Sequence, residues 1–299
     1  MTRKQKYFLA VVIIVPSLLG MIINLTLNKN SSYSSNSTSP FGGKRVGIVR
    51  VENIIMNGED VVKQIEDFRA DKNIVGVLLR VNSPGGAVGP SQEIFSAVTR
   101  FKNSGKPIVV SMGNVAASGG YYISAPSTRI FANPGTITGS IGVIFQFPQY
   151  YNLMDKIGVK MTTIKAGKLK DIGNPNRDIT NAEKIFLQKF LDNTHMQFIN
   201  DVSKGRAMET DSVKTLADGR IYTGEQALKV GLIDTLGGLS DALSYLKDLT
   251  GVALDSKPVT RQKKVDIFRD MLSETIFDKI PLLRNSALPT GNYYLLQNF

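Results

Sequence analysis

From Lys44 onward the sequence predicts an α/β layered fold, a parallel sheet with helical crossovers. Three observations predict it. Short apolar runs alternate with amphipathic stretches, unit after unit. Two of those runs, Ile74 to Val81 and Ile108 to Met112, have the apolar character of buried strands. Each leads into a glycine-rich turn, Asn82-Ser-Pro-Gly-Gly86 and Ala116-Ala-Ser-Gly-Gly120. One apolar span precedes the whole.

That span, Phe8 to Leu27, carries no charge and is long enough to cross a bilayer as a helix, with Pro16 as a candidate kink. Arg3, Lys4 and Lys6 precede it and only Lys29 closely follows, so the positive-inside bias keeps residues 1–7 in the cytoplasm and sends the rest across. A cleaved signal peptide is the alternative. The run exceeds the usual apolar length of such peptides and ends without a small-x-small cleavage site, which favours a retained anchor. Residues 28–43 are rich in Ser, Asn and Thr and read as a flexible tether.

Within residues 44–251 the elements follow in order. Val46 to Val51 reads as a strand and Asp60 to Phe68 as a helix with Val61, Val62, Ile65 and Phe68 on one side. The strand Ile74 to Val81 ends at the Asn82 turn, and a helix spans Pro90 to Phe101. The strand Ile108 to Met112 leads to Ser118. Short β pieces fall at Arg129 to Ala132 and Gly139 to Phe145. Tyr150 to Ile157 reads as a helix and Lys160 to Lys165 as a strand. Asn181 to Ser203 is a long helix, capped by Thr180 or Asn181 with Glu183 in its first turn. A short helix covers Asp211 to Ala217. Thr223 caps a two-turn helix ended by Gly231, and Gly238 opens a last helix, Leu239 to Leu249. Residues 252–299 read as a loosely attached tail with a helix at Val265 to Phe277.

Composition narrows the chemistry. The 299 residues contain no cysteine and one histidine. That removes disulfides, thiolate nucleophiles and multi-imidazole zinc sites. The net charge of +11 is scattered and no nucleic-acid motif accompanies it, which points to an anionic membrane surface rather than to DNA or RNA.

Ser118 lies among alanines and glycines. Such residues permit a tight strand-to-helix turn that exposes a hydroxyl beside free amide groups, the mounting that a nucleophilic serine needs. A plain Ala/Gly packed turn is the competing reading. Asn82-Ser-Pro-Gly-Gly86 would present backbone N–H groups at the carboxyl edge of the sheet, where ligands usually bind. Two such donors, one at each turn, would make an oxyanion hole. A serine nucleophile needs a base. His195 sits mid-helix between Leu191 and Ile199 and reads as packing or surface. A lysine can serve if burial lowers its pKa by about three units, roughly 4 kcal/mol at about 1.36 kcal/mol per unit. Lys165, Lys168 and Lys170 all lie in one segment after a strand, and spacing does not choose among them.

In this order, Asn-Ser-Pro-Gly-Gly, Ala-Ala-Ser-Gly-Gly-Tyr-Tyr-Ile-Ser, Thr-Gly-Ser-Ile-Gly-Val-Ile and Ile-Lys-x-Gly-x-x-Lys-Asp resemble the signal peptide peptidase A (SppA, protease IV) family, in its short single-domain form. Asp218-Gly-Arg-Ile-Tyr-Thr-Gly and Gly231-Leu-Ile-Asp234 are similar to that family too. The resemblance covers roughly Val46 to Leu249 and implies a ClpP/crotonase-type fold. It implies a Ser-Lys dyad in which Ser118 is the nucleophile, Lys170 the general base and acid, and Ser140 positions the lysine. Gly86 and Gly119 would supply the oxyanion-hole N–H groups. It further implies a homo-oligomer, no cofactor, and extended apolar peptides such as signal-peptide remnants as substrates, cleaved outside the cytoplasmic membrane. Two alternatives stand beside it: a crotonase-type acyl-CoA enzyme, and a catalytically silent anchored scaffold.

Overall fold

Among the described residues, 43–261 and 292–295 of the computed structural model, eight strands form one sheet and three form another. The strands are β1 (Arg45–Glu52), β2 (Ile74–Ser83), β3 (Gly85–Ala87), β4 (Ile108–Ala117), β5 (Arg129–Ala132), β6 (Ile137–Gly139), β7 (Ile144–Phe145), β8 (Ile221–Thr223), β9 (Thr235–Leu236), β10 (Val259–Thr260) and β11 (Asn292–Leu295). The helices are α1 (Glu59–Ala70), α2 (Val88–Asn103), α3 (Gly119–Ser124), α4 (Tyr151–Lys156), α5 (Asn181–Arg206), α6 (Thr210–Leu216), α7 (Gly224–Lys229) and α8 (Leu239–Thr250). The expected membrane span, most of the tether and the expected tail helix lie outside the described residues. No described helix is long and apolar enough to cross a membrane.

The main sheet runs β10-β1-β2-β4-β5-β9, parallel at every step. Parallel neighbours require crossovers, and α1, α2 and the chain around α3 supply them. Period-two alternation splits the strand side chains between two layers. Val49, Val77, Leu79 and Val110 face α1, α2 and the second half of α5, through Ile65, Phe68, Ile94, Phe101, Phe198 and Val202. Val46, Ile48, Leu78, Val109 and Phe131 face α8 through Ala242 and Leu246.

Helix ends follow the local signals. Thr180 caps α5 in a reciprocal box with Glu183, and Thr223 caps α7 in the same way with Gln226. Gly251, at φ 64°, closes α8. The helix α1 carries Glu59 and Asp60 in its first turn and Arg69 in its last, matching the helix dipole.

Two expectations change. Lys160 to Lys165 is exposed and irregular rather than a strand, because no neighbouring strand satisfies its backbone. Within the expected loose tail, Val259–Thr260 joins the main sheet beside β1, and Asn292–Leu295 is the middle strand of the second sheet, β3-β11-β7.

Candidate active site

The chain turns sharply at Ser118. The strand β4 is buried at every position but Asn114, and Ser118 follows it as the N-cap of α3. Its backbone sits at φ 52°, ψ −117°, a conformation that L side chains rarely adopt. The surroundings hold it there. Ser118 N–H donates to the Gly139 carbonyl at 2.8 Å, and its own carbonyl accepts from Tyr122 N–H at 2.8 Å. Tyr121 and Tyr122 anchor α3 in the core. Tyr121 Oη donates to the Leu232 carbonyl at 2.9 Å, and Tyr122 Oη donates to Asp201 Oδ2. The Tyr122 ring packs between Phe95 and Phe198, with centroids 4.8 and 4.9 Å away. Ser118 Oγ is buried and has no hydrogen-bond partner. The N–H of Gly119 opens α3, where no intrahelical acceptor exists.

The Asn82-Ser-Pro-Gly-Gly86 turn touches the Ser118 turn. A Cβ on Gly120 would come 2.6 Å from the Ser83 carbonyl oxygen, so only glycine lets α3 sit this close. Ser83 Oγ accepts from Gly85 N–H at 3.1 Å and fixes the turn. A Cβ on Gly86 would meet the Ile55 carbonyl oxygen at 2.1 Å. Ile55 N–H donates to Gly85 O, and Ala87 N–H to Ile55 O, both at 2.8 Å. Strand alternation then turns the N–H of Gly86 to the opposite edge of β3. The N–H groups of Gly86 and Gly119 thus lie on adjoining turns at the carboxyl edge of the sheet.

Asn82 is a functional candidate that sequence reasoning missed. Between Val81↔Met112 and Ser83↔Ala116 the register of β2 and β4 slips by two residues. Asn82 Oδ1 accepts from Asn114 and Val115 N–H at 3.0 and 3.3 Å and so satisfies the bulge. The bulge redirects β4 from pairing with β5 to pairing with β6 just before Ser118. Asn at a strand end reads as an ordinary turn residue, so only the bulge opposite reveals its part.

Ser140 stands beside Ser118. Ala117 pairs with Gly139, so the two serines leave adjacent strands at the same level. Ser140 is also at positive φ, 52°, and its N–H donates to the Arg220 carbonyl at 2.8 Å. The strand β8 lies antiparallel to β6 and holds it, which accounts for the Asp218-Gly-Arg-Ile-Tyr-Thr-Gly motif as a clamp. The Gly231-Leu-Ile-Asp234 motif is a second clamp. Arg206 grips Asp234 at 2.6 and 3.0 Å, and Asp234 Oδ2 accepts from Ile130 N–H at 2.7 Å. Among the described residues, four non-glycine residues have positive φ; three of them, Asn53, Ser118 and Ser140, border this edge. Unusual backbone conformations of this kind cluster at active sites, which makes this edge the candidate site.

The three lysines separate. Lys165 is ion-paired with Asp171, which also takes Arg177 Nε at 3.0 Å. Arg177 in turn holds Glu183 at 2.5 Å. Hydrogen bonds from Arg177 and then Lys165 hold the Asp171 carboxyl well below the usual carboxylate range. Arg177 and the Thr180 backbone lower Glu183 to about 2. Lys168 and Lys170 are exposed. The structure brings Ser118, Ser140, Gly86 and Gly119 to one edge and does not bring Lys170 to Ser118 within the chain, since Ser118 Oγ has no partner. No residue from 142 to 182 is buried. His195 lies on α5, half-buried, its Nε2 likewise without a partner, and it does not reach Ser118.

Residues 100–253 match peptidase family S49. A candidate protease of Methanocaldococcus jannaschii is 39% identical over 256 residues, 81% of each chain. A candidate signal peptide peptidase SppA of Enterococcus faecium is 46% identical over 191 residues, 64% of this chain and 56% of that protein. Protease 4 of Salmonella typhi is 32% identical over 257 residues, covering 83% of this chain but 40% of its own length.

Proposed function

This chain belongs to peptidase family S49, the SppA group of serine proteases, and from that premise we propose that it cleaves short apolar peptides with a Ser118–Lys170 dyad completed between neighbouring copies. Membership in a peptidase family sets aside the acyl-CoA alternative. The layered parallel sheet, with both glycine turns at its carboxyl edge, fits the ClpP/crotonase-type arrangement.

The carrying observation is the arm that bears Lys170. Residues 142–182 bury nothing, yet Leu153, Ile157, Met161 and Ile164 are apolar and exposed, Ile164 to 97%. On α5, Ile185, Phe186 and Phe190 are exposed apolar residues too. A run of this kind needs a partner to cover it. A second copy of the chain supplies one, and its Ser118 supplies the acceptor that Lys170 lacks in its own chain. Docking would also remove water from the amine, which is what lowers a lysine pKa.

The reaction then passes through an acyl-enzyme on Ser118. Neutral Lys170 takes the Ser118 proton as Oγ bonds to the peptide carbonyl carbon. The N–H groups of Gly86 and Gly119 hold the oxyanion. Lys170 returns the proton to the leaving amine as the C–N bond breaks. The same lysine then takes a proton from water as the water oxygen bonds to the acyl carbon, and returns it to Oγ as the ester C–O bond breaks, restoring Ser118 and releasing the acid. Ser140 hydrogen-bonds the lysine amine and steers it. The apolar span Phe8 to Leu27 would anchor the site at the outer face of the cytoplasmic membrane, near lipophilic signal-peptide remnants.

The test is peptide cleavage by the full chain in detergent. Ser118→Ala and Lys170→Ala should each lower kcat by about 10³-fold or more, and Lys168→Ala should stay within about threefold of the parent. Cleavage that survives either dyad substitution refutes the assignment.

A further inference from the structure

Ser118 and Gly119, which carry the nucleophile and one oxyanion donor of the proposed reaction, share a single peptide unit. The carbonyl of that unit accepts from Tyr122 N–H at 2.8 Å. A peptide unit is planar and trans, so its N–H points away from its C=O. Whatever holds the Ser118 carbonyl therefore aims Gly119 N–H. Tyr122 is held in turn by α5. Its buried phenol donates to Oδ2 of the half-buried Asp201, a charge-assisted bond. Its ring lies between Phe95 of α2 and Phe198, which stands about one turn before Asp201 on α5. The helix α3 is only six residues long. A helix of that length is not stable alone, so tertiary contacts set its direction. Ring packing would be served equally by phenylalanine; the hydroxyl fixes where the ring points.

We propose that Asp201 and Tyr122 are positioning residues of the oxyanion hole. The Asp201 carboxylate holds the phenol, the Tyr122 amide holds the Ser118 carbonyl, and Gly119 N–H is thereby aimed at the substrate oxygen as that oxygen gains charge. The proposal rests on the protease reading above. Such a donor works only when it sits about 2.7–3.1 Å from the developing oxyanion. Loosening its aim costs rate rather than substrate binding, because the ground-state carbonyl carries less charge. The bond at the Ser118 carbonyl also polarises the N–H across the peptide unit and strengthens it as a donor.

The experiment measures cleavage of a leucine- and alanine-containing peptide by the full chain in detergent. Tyr122→Phe keeps the ring and removes the bond; Asp201→Leu removes the acceptor; Asp201→Asn keeps an acceptor oxygen. Tyr122→Phe and Asp201→Leu should each lower kcat about 10-fold, less than the loss of a whole donor, with KM within about twofold. Inhibition by a tri-leucine aldehyde, to whose carbonyl carbon Ser118 Oγ adds to leave a tetrahedral oxygen in the hole, should weaken by about the same factor. Asp201→Asn should stay within about threefold of the parent. The double variant Tyr122→Phe/Asp201→Leu should be no slower than either single one, since both act through one bond. An unchanged kcat, a loss confined to KM, or a double variant with additive losses overturns the proposal. Parent cleavage that needs Ser118 but ignores Tyr122→Phe upholds the protease reading and overturns the positioning role alone. Cleavage that survives Ser118→Ala overturns both.

Discussion

Ser118 and Ser140 show how single residues carry this site. Each holds a backbone conformation that costs about 1–3 kcal/mol and persists only because neighbours fix it. For Ser118 the neighbours are the Gly139 carbonyl, the two anchored tyrosines and the Asn82-stitched bulge. Asn82→Ala removes the acceptor of the Asn114 and Val115 N–H groups at the exposed end of the bulge, and urea unfolding should register a loss of about 0.5–1.5 kcal/mol; an unchanged midpoint contradicts the role. In Gly86→Ala the new methyl must push β3 away from Ile55, so kcat should fall by about 10²–10³-fold with the fold retained. Of these residues, Ser118 and Gly86 were legible in the sequence because runs of tiny residues after a buried strand have few other uses. Asn82 was not, because its partner is a register slip, and a slip between two strands leaves no local mark.

Elements were legible where local signals suffice. The buried strands, the Thr223-capped helix and the long helix from Asn181 all follow from apolar period, caps and glycines. Elements that need a distant partner were not. Lys160 to Lys165 has strand-like residues but no neighbour, and β11 has a neighbour that lies two hundred residues earlier in the chain. The arm before α5 is instead held by charges, and this can be titrated. Arg177 favours the ionised forms of Asp171 and Glu183, so both pairs support the folded arm above pH about 4.5, and that support is lost as the pH falls toward 2. Carboxyl carbon NMR should find Glu183 titrating near pH 2, and Arg177→Ala should return it toward its ordinary 4.5. A Glu183 midpoint that ignores the substitution contradicts the network.

At the scale of the whole molecule, a single chain brings together most of the proposed site. It assembles the serine, both glycine turns and the clamp strands, yet leaves its lysine on an arm without a core. The lysine segment was legible in the sequence, but whose serine it would serve was not, because in the proposed assembly that depends on a surface shared with another copy. The most direct measurement mixes equal amounts of Ser118→Ala and Lys170→Ala, dissociated and then reassembled together. If each site takes its serine from one copy and its lysine from the next, half of the serines are intact and half of those meet an intact lysine, so about a quarter of the parent activity should return from two inactive proteins. A mixture as inactive as its components, while the parent treated in the same way cleaves peptide, would contradict the account.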